Sequence, residues 1–146
     1  MQSKSLLATV TLAVSLLVAS CSHDPSQIRD ARADAAMNAT GRLQGRWVLT
    51  SFQSATSLDP VLQLMVNEQI NRMTVDFNGQ TIRAQGPGVT VNRTFKVVEA
   101  YVDHFKATIF DVYGVGTDVV GDFTGNTMLV TGLSDPWRGQ AGFRRP

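Results

Sequence analysis

The chain has little of what most catalytic and metal sites are built from. One cysteine, Cys21, and two histidines, His23 and His104, are all the thiol and imidazole it carries across 146 residues. A single thiol cannot close an intramolecular disulfide, so any exported domain must hold together by packing alone. Two distant histidines among scattered carboxylates lack metal-ligand spacing, and His104, following Asp103, reads as a surface turn residue. No serine stands in a nucleophile-elbow context and no glycine-rich phosphate loop appears. Neither an alternation of strands with helices nor an internal repeat is present. Charge of one sign is missing too. With a formal net charge of +1 and no clustered basic face, nucleic acid is excluded as a partner.

Long hydrophobic runs are also scarce, with one exception at the N-terminus. Lys4 is followed by an uncharged stretch from Leu6 to Val18, then by the small residues Ala19 and Ser20 before Cys21. A basic residue, a short apolar core and small residues before a cleavage point spell a secretory signal over 1–20. Val18-Ala19-Ser20-Cys21 resembles the lipobox of bacterial lipoproteins. That resemblance implies acylation of Cys21 and a membrane partner through its acyl chains. Ser22 in place of an aspartate then points to the outer membrane. The competing readings are an ordinary signal peptide with a chance cysteine, and an uncleaved anchor. Acyl chains contribute about 0.8 kcal/mol per buried CH2, so several of them would make attachment effectively permanent. Removal of 1–20 takes away Lys4, one of thirteen basic side chains, and leaves twelve against twelve acidic.

Residues 21–42 contain only Ile28 and Met37 as large apolar side chains, too few for a core. They read as the lipid-bearing cysteine and a flexible tether, with a transient helix over Gln27–Ala36 supported weakly by i,i+4 charges. At Leu43 the pattern changes, and 43–146 reads as the folded domain. Arg46–Phe52 alternates as a strand does. Asp59 and Pro60 form an N-cap and first-turn pair for a short helix over Pro60–Ile70. After that helix come strands and turns without interruption: Arg72–Phe77, the hairpin signal Asn78-Gly79, Gln80–Ala84, Val89–Val98, His104–Val112, Thr117–Phe123, Thr127–Thr131 and Gln140–Arg145. Eight strands joined by short connections predict an all-β fold, a small antiparallel up-and-down barrel with one short helix between its first two strands. Closure into a barrel would remove the exposed edges.

Gly45-Arg46-Trp47, opening the first of eight strands, resembles the Gly-X-Trp signature of the lipocalin superfamily, and Leu43-X-Gly45-X-Trp47-X-Leu49 is similar to small lipocalin-like domains of bacterial lipoproteins. The resemblance implies that Trp47 plugs one end of the barrel and that an arginine of the last strand, Arg144 or Arg145, stacks across it. The domain is shorter than classical lipocalins and lacks their C-terminal helix. Its helix between the first strands is more similar to intracellular fatty-acid-binding proteins.

The alternation predicts an inward set of Trp47, Leu49, Met73, Val75, Phe77, Ile82, Val91, Phe95, Phe105, Ile109, Phe123 and Phe143. In an eight-stranded barrel such a set either fills the interior or lines a pocket for one small apolar ligand, and large aromatics on short strands favour filling. Trp47, Phe77, Phe95, Phe105 and Phe123 are the candidate ligand contacts. Arg93 joins them, since it interrupts an apolar face. It reads either as a rim guanidinium with a packed stem or as a head-group acceptor, with Asp111 or Glu99 as alternative partners. Asp76, Asp118 and Asp122 fall outward and read as solubilising. Trp137, in the last loop, reads as an end cap or an interface anchor. No metal, cofactor or catalytic residue is called for. The expected function is a membrane-anchored carrier of a small apolar ligand in the cell envelope. The alternative is a non-catalytic interaction module with a filled core and an unspecified protein partner.

Overall fold

The computed structural model describes residues 25–132 and 138–146. Cys21 and Trp137 lie outside the described residues. Two compact units divide the chain between Ala33 and Asp34, the second holding every strand.

The strands are β1 (Gly45–Ser54), β2 (Thr74–Asn78), β3 (Thr81–Gly86), β4 (Val89–Tyr101), β5 (His104–Phe110), β6 (Gly116–Thr124), β7 (Thr127–Gly132) and β8 (Gly139–Arg144). All neighbours pair antiparallel, and β8 returns to β1, so the sheet closes as an eight-stranded barrel in sequence order. Short turns favour this topology, because a two-residue connection lets consecutive strands pair only as an antiparallel hairpin. Gly79 and Gly125 take positive φ in two of these turns. The last strand lies against both β7 and β1, with Phe143 facing Leu49 on one side and Met128 on the other.

Helix α1 spans Pro25–Leu43 and helix α2 spans Pro60–Gln69. Asp59 caps α2, its Oδ1 accepting from Val61 N at 2.8 Å with Pro60 at the first helical position. The start of α2 is thus decided locally, as the sequence indicates.

Helix α1 differs from expectation. In place of a flexible tether with a transient helix over Gln27–Ala36, a continuous helix runs to Leu43. Ala39 and Leu43 are buried in the core cluster and Ala36 packs against it. These three follow i, i+3/i+4 spacing, so small alanines and one leucine make a narrow apolar stripe. A stripe of that width carries no weight in a count of large apolar residues, which is why it escapes a composition-based reading. The core therefore begins before Leu43.

The end of β4 also shifts. β4 continues to Tyr101 through a bulge, since Val97 pairs with Ala107 while Glu99 pairs with Lys106. Val98 is the extra residue and is turned to solvent. The connection to β5 is then only Val102 and Asp103, with Val102 at φ 49°.

Inside the barrel, Trp47, Leu49, Val75, Ile82, Phe95, Phe105 and Phe123 are buried, while Met73, Phe77, Val91, Ile109 and Phe143 are half-buried. Gly121 lies opposite Phe105 on β6, and a Cβ there would run into the Phe105 ring. The glycine is what lets the ring lie flat across its neighbour.

Candidate functional site

The two ends of the barrel are built differently. One end is closed. Gly45, at φ 95°, turns the chain from α1 into β1, a conformation glycine adopts without strain. This sets Trp47 one turn below the end of α1, where its indole Nε1 donates to Leu43 O at 2.8 Å. Arg145 lies over the ring, its Cζ 4.4 Å from the Trp47 centroid. Its guanidinium donates to Gln44 O at 3.1 Å and to Arg42 O at 2.6 Å. These carbonyls sit at the C-terminus of α1, where no intrahelical donor remains, so the guanidinium satisfies them and meets the negative end of the helix dipole. Arg42 in turn lies 4.2 Å over the Phe123 ring and bonds Val102 O and the Asp103 carboxylate. Gln44 Oε1 accepts from Gly79 N, and its Nε2 donates to Gly79 O. Side chains of α1 and its C-terminal extension thus tie down two of the hairpin turns at this end.

Behind this plug the aromatics pack directly. Trp47 and Phe123 have centroids 6.3 Å apart, Phe105 and Phe123 5.1 Å, and Phe77 meets Phe95 edge-on at 5.3 Å. Phe77, Phe95 and Phe105 border a void of only about 40 Å³. That space holds no ligand larger than a water molecule or two. The candidate contacts Trp47, Phe77, Phe95, Phe105 and Phe123 are therefore wall and plug at the filled end.

The opposite end is hollow. Beneath α2 lies a cavity of about 280 Å³, bordered by Leu49, Phe52, Val91 and Phe143 from the strands, by Met73 just before β2, and by Val66 and Gln69 from the helix. Smaller residues complete it, including Ala84, Ala141, Gly132 and Gly139. Alanine and glycine at inward positions are why the barrel is empty here and full at the other end. None of the six candidate ligand residues borders this cavity. Alternation does point at its walls Leu49, Met73, Val91 and Phe143. Helical spacing sets Gln69 on the sheet-facing stripe of α2 with Val66, and both are buried, but nothing in the sequence shows that the amide borders a cavity.

Arg93 occupies neither place. It stands on the inward register of β4 opposite Ile82, but its Nη1 donates to Asn92 O at 2.8 Å. It borders a wide, open groove together with Asp76, Thr81, Phe110 and Asp111. Asp111 is committed to the β5–β6 turn, its Oδ1 accepting from Tyr113 N and Val115 N, both at 2.9 Å. Among the described residues Arg93 makes no ion pair. Arg144 is likewise apart from Trp47: it is exposed and pairs through its backbone with Val48 and Thr127.

The outward carboxylates join neighbouring strands. Asp76 receives Arg46 Nε at 2.8 Å, and His104 Nδ1 lies 2.8 Å from Asp122. Asp118 accepts from Thr108 Oγ1 at 2.8 Å and faces Lys106 Nζ at 3.2 Å. The Thr108 hydroxyl, then Lys106, hold the Asp118 carboxyl below its ordinary value, while its hydrogen bond and charge pairing with Asp76 raise the Arg46 guanidinium.

No protein-family profile, curated protein or solved structure gives a significant match to this chain.

Proposed function

We propose that this chain is a membrane-anchored, lipocalin-like lipoprotein that binds or carries one small apolar ligand in the cell envelope. The observation that carries the reading is the cavity under α2. It has an apolar wall and lies inside a closed barrel whose other end is plugged. The apolar wall of this part-open cavity has few partner atoms of its own, and an apolar guest supplies those contacts and takes the wall out of water. Anchoring is by acylation of Cys21 in the lipobox-like Val18-Ala19-Ser20-Cys21, and the resemblance, with Ser22 in place of an aspartate, favours the outer membrane. Catalysis has no part in this reading, and neither does a cofactor.

Native mass spectrometry of the purified protein tests it. A reproducible co-purified apolar molecule, lost on organic extraction, is the expected result. A clean apo mass, with no uptake of added apolar probes, would sink the reading.

A second reading, a non-catalytic interaction module, rests on the apolar outer surface of α2, where Val61, Leu64 and Met65 are exposed. Under it, a partner protein would cover these side chains and the cavity would stay unfilled.

A further inference from the structure

Among the described residues that border the cavity, Gln69 is the one polar side chain, and all the others are apolar or glycine. It is also the one buried polar residue of the described core, 4% exposed. Its Nε2 donates to Pro87 O at 2.9 Å, tying the last residue of α2 to the β3–β4 turn. That bond decides which way the amide faces, because the reverse orientation would set two carbonyl oxygens against each other. The consequence is that Oε1 is buried with no hydrogen-bond partner among the described residues, packed against Gly86. A Cβ at position 86 would collide with this oxygen, so the glycine is what admits the amide.

A buried acceptor without a donor carries its full desolvation cost, and such groups are rare enough to need an explanation. Simple structural duty does not supply one. Tying α2 to the turn needs only the Nε2 donor, and the helix–barrel contact is otherwise apolar. We infer that the cavity takes an uncharged amphiphile, an apolar body bearing one hydroxyl or comparable neutral donor, and that the donor bonds Gln69 Oε1. This rests on the ligand-binding reading above and narrows it to a chemical class. Oε1 lies against Gly86, which is not part of the cavity wall, so it meets a ligand donor only by turning about the terminal amide torsion, broad for glutamine, and the Nε2 bond to Pro87 O re-aims or opens as it does. Among the described residues no cationic side chain borders the cavity, so an ionised carboxylate would be desolvated there without compensation and would face another oxygen. Size points the same way. A volume of about 280 Å³ lies just below the ~300–1,000 Å³ range of small-molecule pockets. That suits a medium-chain alcohol and excludes a long acyl chain held entirely inside.

Calorimetric titration of the purified protein with three probes tests this: 1-octanol, its isomer heptyl methyl ether, and octanoate at pH 8. The alcohol should bind about tenfold more tightly than the ether, the worth of one neutral hydrogen bond, and octanoate more weakly than either. Gln69→Met keeps the side-chain length, and in that variant alcohol and ether should bind alike. If the variant fails to fold, the side-chain amide resonances of Gln69 in the native protein serve instead. They should shift with the alcohol and stay in place with the ether. Equal affinities for alcohol and ether, or tightest binding of octanoate, would overturn this inference and leave the ligand-binding reading standing. No binding of any of the three would overturn both.

Discussion

The guanidinium of Arg145 lies 4.4 Å over the Trp47 ring while donating to the carbonyls of Arg42 and Gln44. One side chain thus joins the end of the last strand, the start of the first, and the C-terminus of α1. Cation–π contact and charge-assisted hydrogen bonds to helix carbonyls act together here. Truncation by Arg145→Ala should therefore cost about 2–3 kcal/mol, against within ~0.5 kcal/mol for Arg144→Ala. Urea denaturation of the two variants, followed by tryptophan fluorescence, reads the difference. Equal effects would mean that the stacking contributes nothing.

Gly121 and Phe105 share one space inside the barrel. Adding a methyl group by Gly121→Ala forces the ring off its rotamer and should destabilise by about 1–3 kcal/mol. Combining it with Phe105→Leu should recover part of that loss, since the smaller side chain leaves room. A thermodynamic double-mutant cycle measures the coupling, and strict additivity would refute it.

Cavity filling separates ligand binding from stability. Ala84→Leu places three extra carbons into the space under α2 and should abolish uptake of an apolar probe while leaving the thermal midpoint unchanged or raised. Retained binding would locate the ligand elsewhere.

Arg93→Ala should leave that same binding within about twofold, because the guanidinium bonds its neighbour's carbonyl and does not border the cavity. A large loss of affinity for a carboxylate ligand would contradict this placement.

The Asp118 carboxyl is held below its ordinary value by Thr108 and Lys106. A carboxylate favoured in the folded state contributes stability that is complete above its unfolded value, near 3.9. That contribution is lost as pH falls through the lower, folded value. Carbon-detected titration of the carboxyl should show the depressed midpoint, and Thr108→Val should move it upward. An unchanged midpoint in that variant would assign the shift elsewhere.

Much of the fold was written in local pattern. Alternation marked the strands, Asn78-Gly79 marked a hairpin, and Asp59-Pro60 marked the start of α2, because each depends on neighbouring residues alone. Short turns then left an antiparallel meander as the simplest arrangement. Trp47 as the plug, and an arginine over it, followed from a resemblance carried by a few residues. Tertiary structure decided the rest. It selected Arg145 over Arg144, since alternate residues of a strand point to opposite sides and only one could reach the helix carbonyls. It extended α1 to Leu43 because Ala36 and Ala39 have value only once a barrel end exists to receive them. It also placed the cavity away from the aromatic residues, where alanines and glycines of separate strands face one another under α2. Emptiness is a property of several strands taken together, and no single stretch of sequence contains it.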